Sequence, residues 1–280
     1  MGDETLRPVL AGQKALVIGV ANDDSIAYGC AKAFHATGAD LAITWLNEKA
    51  RPYVEPLARE LGASITGAVD VAVPGQLEAM FDQIRTKWGR LDILVHSIAF
   101  APKSDLQGGL LNCSAEGFAK AMDISCHSFI RMAKLAAPLM TEGGTMFAMS
   151  YYGANRVVAN YNVMGPVKAA LEAACRYLAY ELGSQGIRVH AMSPGPLKTR
   201  AAAGLRTSSS CSLKLLKRRR SGSLSTLWTS DSPAPISRRL SPSESPAEPS
   251  MSTAAPTLLP EPRPWQVETR SALSPQGRQK

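Results

Sequence analysis

Short runs of apolar, often β-branched residues alternate along this chain with stretches of helical spacing, and that alternation constrains its fold more than any other feature. Lys14–Val20 (KALVIGV), Asp40–Leu46 (DLAITWL), Ser64–Val71 (SITGAVDV), Leu91–Ser97 (LDILVHS), Gly143–Ser150 (GGTMFAMS) and Gly186–Met192 (GIRVHAM) read as six strands. Several are apolar without a two-residue period, which marks strands buried on both faces. Between them lie an alanine-rich stretch ending near Thr37, then Ala50–Leu61, Pro74–Trp88, Ser114–Met140 and Asn162–Gly183, all with helical character. Strands joined through helices by short loops pair in parallel. The expectation is an α/β fold: a doubly wound, Rossmann-like parallel sheet with helices on both faces.

In such a sheet, ligands sit beyond the carboxyl ends of the strands. The first strand runs into Gly19-Val-Ala-Asn-Asp-Asp-Ser25-Ile-Ala-Tyr-Gly29 and then a helix, an arrangement that offers backbone N–H groups and a helix dipole to a pyrophosphate. Gly19 lets the backbone turn, and Ser25 either caps the helix or reaches a phosphate. The spacing is not GxGxxG, so a plain strand-to-helix turn stays open. After the second strand, Leu46-Asn47-Glu48-Lys49 puts no carboxylate clearly at the strand end, which leaves NADH against NADPH undecided. Asp70 is placed to accept from an adenine amino group, or equally to cap the turn before Pro74. The small residues of Ile98-Ala99-Phe100-Ala101-Pro102 let a flat ring approach the fourth strand. His96 lies inside that apolar strand with no second ligand at useful spacing and reads as a core histidine.

The segment Ser150–Lys168, SYYGANRVVANYNVMGPVK, concentrates the polar chemistry. Tyr161 and Lys168 are seven residues apart, about two turns of one helix, so both can face the same way. An ammonium beside a phenol lowers its pKa and suits it to proton donation or to hydrogen bonding an enolate oxygen.

Composition divides the chain. Residues 206–280 hold 12 Lys+Arg against 5 Asp+Glu, a net of +7 out of the total +8, leaving 19 and 18 in residues 1–205. The basic balance is therefore no nucleic-acid footprint on the folded part, and a run such as Lys217–Arg220 is a solvated one. The same segment has 17 Ser and 10 Pro but no Tyr or Phe, too little apolar surface to offset its ordering entropy. It is expected to be a disordered tail behind a domain spanning 1–205. Five scattered cysteines without CxxC spacing point to reduced thiols, not disulfides or zinc. No apolar run is long enough to cross a membrane. A cytoplasmic protein with no nucleic-acid or membrane partner is expected.

The motifs GVANDDSIAYG, VHSIAFAP, SYYGANRVVANYNVMG..K and SPGPLKT together resemble the short-chain dehydrogenases/reductases. More narrowly they are similar to the NADH-dependent enoyl-[acyl-carrier-protein] reductases of bacterial fatty-acid synthesis, over about residues 6–205. Most short-chain dehydrogenases have Tyr-x3-Lys; the six residues between Tyr161 and Lys168, and the extra Tyr151, resemble the enoyl reductase pattern. The resemblance implies NAD(H) as cofactor, an enoyl thioester on acyl carrier protein as substrate, and a homotetramer. It implies that Tyr161 bonds the thioester carbonyl, that Lys168 holds the nicotinamide ribose and tunes Tyr161, and that Tyr151 is a second active-site tyrosine. Cofactor positions would be Gly19, Ser25, Ile26, Leu46, Asp70, Val71, Ile98, Lys168, Leu197, Lys198, Thr199, Arg200 and Ala201, with Ala101 beside the acyl chain.

Some residues depart from the family pattern. Pro166 stands where an apolar non-proline residue is usual; beyond the first helical turn it would cost ~3 kcal/mol or tilt Lys168, and within that turn it would be tolerated. Ala159 and His190 replace an expected Pro and Asn, and Arg200 puts a charge in an apolar lid. The family's remaining lid, last helix and seventh strand have no counterpart after Leu205. Two readings of the tail follow: out-of-frame translation, or a genuine basic disordered extension. An inactive nucleotide-binding product and a short-chain reductase of ketones or aldehydes are the alternatives to enoyl reduction.

Overall fold

The structure, a computed structural model, describes residues 8–107 and 109–195 of the 280-residue chain. The expected cofactor positions Leu197–Ala201 and the tail from 206 onward lie outside the described residues. Six strands form one parallel sheet: β1 (Lys14–Ile18), β2 (Asp40–Trp45), β3 (Ile65–Ala68), β4 (Ile93–His96), β5 (Gly144–Met149) and β6 (Ile187–Met192). Their order is β3-β2-β1-β4-β5-β6, so the winding reverses between β1 and β4. In register, Ala15 faces Leu41 on one side and Ile93 on the other.

Neighbouring residues of β1 explain the two helical layers. Ala15 and Val17 enter a core shared with α1 (Ile26–Ala36) and α2 (Arg51–Glu60), through Ala31, Phe34, Val54 and Ala58. Leu16 and Ile18 point the other way, into a core shared with α3 (Gln76–Trp88) and the later helices. Side chains fully buried there, such as Phe81 and Phe129, contribute about 1.5–3 kcal/mol each relative to exposure. A strand apolar on both faces thus becomes the middle of a three-layer sandwich, as the strand pattern requires.

Differences from the expected elements have local causes. β1 stops at Ile18 because Gly19 takes φ +100°. β3 stops at Ala68, and Asp70 turns the chain by accepting from the Ala72 N–H at 2.9 Å. A short helix, α4 (Lys103–Gln107), lies in a segment where the spacing signals none. The single helix expected over 114–140 is instead α5 (Ala115–Met122), a π-helical turn (Asp123–His127) and α6 (Ser128–Ala136). A π-turn inserts one residue, and here Ser125 in that turn both accepts from Phe100 N–H (2.8 Å) and donates to its carbonyl (3.0 Å). Finally α7 spans Met164–Leu182, so Tyr161 precedes the helix and does not share a helical face with Lys168. Asn160 and Asn162, with φ of 65° and 42°, flank Tyr161 in the left-handed region and stop the helix from starting earlier.

Candidate active site

The crevice at the winding reversal is built mainly from backbone. A Cβ on Gly19 would lie 2.3 Å from the Ser97 carbonyl oxygen and 3.3 Å from Ile98, so only glycine lets β1 and β4 end this close together. Ser25 is the N-cap of α1: its Oγ accepts from Tyr28 N–H at 3.4 Å and donates to the Asn22 carbonyl at 2.6 Å. Ile26 follows as the first helical residue, at the positive end of the helix dipole. The side-chain oxygen of Asn22, Thr44 Oγ1 and Trp45 Nε1 are buried without a hydrogen-bond partner. Buried polar atoms of this kind are rarely orphaned in a complete site, and the loop after β1 and the end of β2 therefore fit a polar ligand.

The remaining cofactor-side positions are more varied. Leu46 is half exposed beyond β2, where Asn47 spends its side-chain oxygen on the N–H groups of Lys49 and Ala50. Asp70 uses one carboxylate oxygen in its turn, while its own N–H donates to Gln76 at 2.8 Å. Val71 is buried; Ile98 and Ala101 are partly buried against the core cluster that also holds Tyr161.

Beyond the carboxyl end of β5 the site is made of side chains. Tyr151 and Tyr161 pack ring to ring, centroids 4.9 Å apart and tilted by 59°. Tyr161 is buried, and burial, followed by the neighbouring Tyr151, pushes its hydroxyl well above the ordinary tyrosine value. It is therefore a phenol, a donor, at any physiological pH. Lys168 is 4% exposed and donates to the Met149 carbonyl at 2.5 Å, at the end of β5. Desolvation lowers its pKa to about 8, partly offset by Cys126, Cys175 and Glu172. The expectation that Lys168 lowers the Tyr161 pKa is thus corrected: burial dominates the phenol and raises it, and one donor of the ammonium goes to a backbone carbonyl.

His96 sits in the core as expected. Ser128 Oγ donates to the Ile124 carbonyl at 2.7 Å, so its 2.8 Å contact with His96 Nε2 is one in which the imidazole donates. Burial pushes the histidine down to about 3, which keeps it neutral.

The family model described as enoyl-(acyl carrier protein) reductase matches residues 19–225. The chain belongs to this reductase family. It is 47% identical over 197 residues to enoyl-[acyl-carrier-protein] reductase [NADH] 1 of Rhizobium meliloti, covering 70% of this chain and 72% of the relative. With the NADH enzyme of Nostoc it shares 49% over 199 residues, 70% of this chain and 77% of that one. The solved structure of the Anaplasma phagocytophilum reductase in complex with NAD superposes with a TM-score of 0.68 at 47% identity, over 71% of this chain and 76% of the other.

For a reductase of this family, two departures in the sequence have structural answers. Pro166 is the third residue of α7 and exposed, within the first turn where its missing N–H is tolerated. His190 stacks on Phe147, ring centroids 5.6 Å apart. Three polar residues of the site escaped sequence reading. Ser125 holds the Phe100 segment, Asn162 donates its amide to the Leu106 carbonyl of α4, and Glu172 binds Ser150 and Asn155. Only Glu172 left a signal, as the carboxylate one helical turn after Lys168.

Proposed function

We propose that this chain reduces trans-2-enoyl thioesters carried on acyl carrier protein, with NADH as cofactor, in type II fatty acid synthesis. The observation that carries the reading is a buried phenol, Tyr161, held protonated in ring contact with Tyr151 beyond the carboxyl end of β5. Family membership supplies the substrate class, which geometry alone does not.

Gly19, Ser25, Ile26, Leu46, Asp70, Val71, Ile98 and Lys168 would hold the dinucleotide. NADH, when bound, supplies the hydride to the β-carbon of the enoyl group. As that carbon is reduced, electron density moves to the thioester carbonyl oxygen, the Tyr161 O–H donates a hydrogen bond to that oxygen, and the enolate then takes a proton from solvent at its α-carbon to give the saturated thioester. A single donor of this kind is worth about 10²–10³ in rate. Tyr151 would close the opposite side of the acyl group, and Ala101 would line its path. Lys168, with three donors of which one goes to Met149, would direct another to ribose hydroxyls.

No helix among the described residues is long and apolar enough to cross a membrane. We take the assembly to be a homotetramer; Tyr177 and Tyr180, exposed together on α7, offer apolar surface for a second copy.

NADH binding by fluorescence, followed by turnover of crotonyl and acetoacetyl thioesters, tests the reading. Saturable binding and crotonyl reduction alone are expected. Acetoacetyl reduction alone would make the chain a ketone reductase, and absence of binding would make it inert.

A further inference from the structure

Helix α7 grips the end of β5 at successive points, and one of the gripping residues has no part in the chemistry above. Glu172 follows Lys168 by one helical turn, on the same side of α7. Its Oε1 accepts from Ser150 Oγ at 2.5 Å and its Oε2 accepts from Asn155 Nδ2 at 3.0 Å. Ser150 and Asn155 bracket the loop that carries Tyr151 and the 3₁₀ turn Tyr152–Ala154. That loop is the wall of Tyr161. A Cβ on Gly153 would lie 2.4 Å from Tyr161 Cδ1, and the Tyr151 ring lies against the same phenol.

We propose that Glu172 is a positioning residue for the tyrosine pair: its carboxylate clamps both ends of the 150–155 loop and so fixes the orientation of Tyr151 and Tyr161. This rests on the reading of Tyr161 as the donor to the thioester oxygen. A carboxylate suits the position because both its oxygens only accept, so one group satisfies two separate donors, each bond strengthened by charge. An amide offers one accepting oxygen and no charge: it could keep Asn155 but would meet Ser150 only by reversing that bond, its N–H donating to Ser150 Oγ, so both bonds are weakened and one changes its geometry. Lys168, on the preceding turn, bonds the carbonyl of Met149, so α7 holds Met149, Ser150 and Asn155 together and the loop has little freedom left. Small displacements matter for such a loop, since misplacing a reacting group by about 1 Å costs on the order of 10²-fold in rate.

The test uses the full chain with Glu172→Gln, which keeps size and removes one acceptor, and with Ser150→Ala as a second, milder variant. For Glu172→Gln, kcat on the crotonyl thioester is expected to fall about 10–100-fold, with NADH affinity and a cooperative melt retained. Amide exchange across residues 151–161 is expected to quicken about 10-fold or more while α7 stays protected. In the double variant, Ser150→Ala adds less than it costs alone, because both act through one bond. Unchanged loop exchange in Glu172→Gln overturns the proposal. So does a parallel loss of kcat, NADH affinity and melting temperature, which would make Glu172 a scaffold residue only. A wild-type chain that reduces no enoyl thioester defeats the functional reading instead, and loop exchange then decides the clamp by itself.

Discussion

The two sides of the crevice are made of different material. On the β1–β4 side the wall is backbone: Gly19 pressed against the Ser97 carbonyl and the first turn of α1 capped by Ser25. On the β5–α7 side it is a set of buried or half-buried polar side chains, Ser150, Tyr161, Lys168 and Glu172, each held by named partners. A backbone site tolerates many sequences and is damaged by adding atoms. A side-chain site needs particular residues and is damaged by removing them.

The sharpest test of that contrast is Tyr161→Phe, which deletes one oxygen and leaves the ring packed on Tyr151 and Gly153. Turnover of the crotonyl thioester should fall about 10²–10³-fold, the value of one donor to a developing oxyanion, while the melt and NADH affinity hold. A wild-type rate would remove Tyr161 from the chemistry. Gly19→Ala probes the other side by adding one carbon. Its φ of +100° costs a residue with Cβ about 1–3 kcal/mol, before the 2.3 Å approach to Ser97 is relieved. The expected result is a lower urea midpoint together with lost NADH binding; normal values of both would mean that β1 and β4 can separate freely.

The same contrast explains what was legible in the sequence. The six strands and the parallel winding were readable because burial on both faces leaves continuous apolar runs such as Leu16–Ile18 and Ile93–Val95. The tyrosines and Lys168 stand out in the sequence by residue type, because phenols and an amine so close together suggest proton-donor chemistry. The start of α7 was not, since it depends on left-handed Asn160 and Asn162, and asparagine enters that region without announcing it. The π-turn was also hidden, because Ser125 reaches a backbone 25 residues away. The effect of Lys168 on Tyr161 was misjudged because residue spacing says nothing about desolvation, which raises the phenol and lowers the amine.

Lys168→Met gives opposite signs on two scales. Lys168 has a pKa of about 8 in the fold against 10.5 when exposed. Between those values the unfolded chain binds more protons, so the contribution of this group to stability rises as pH goes from 8 to 10.5 and is lost as pH falls back through 8. At pH 7 the buried ammonium therefore destabilises the fold. The methionine variant should melt higher at pH 7 and show a flatter stability profile above pH 8, while NADH binding weakens about 10–100-fold from the lost charged hydrogen bond. A lower melting temperature at pH 7 would mean that the bond to Met149 outweighs the desolvation.

Pro166 should have the smallest effect of all. Inside a helix a proline costs ~3 kcal/mol, through a missing donor and a clash with the carbonyl four residues back. Here that carbonyl belongs to Asn162 and already accepts from Gly165 N–H at 3.0 Å, so an N–H at 166, one of the first-turn donors, could add at most a shared bond. Its ring is exposed, and Val167 and Lys168 behind it are buried in their places. Pro166→Leu should therefore change the unfolding free energy, measured by urea denaturation, by no more than about 0.5 kcal/mol, the usual range for a surface change, and leave kcat/KM unaltered. A gain in activity would mean that the proline tilts α7 and holds Lys168 away from its ribose partner. The strain would then lie in the side-chain half of the site, with the backbone half around Gly19 and Ser25 unaffected.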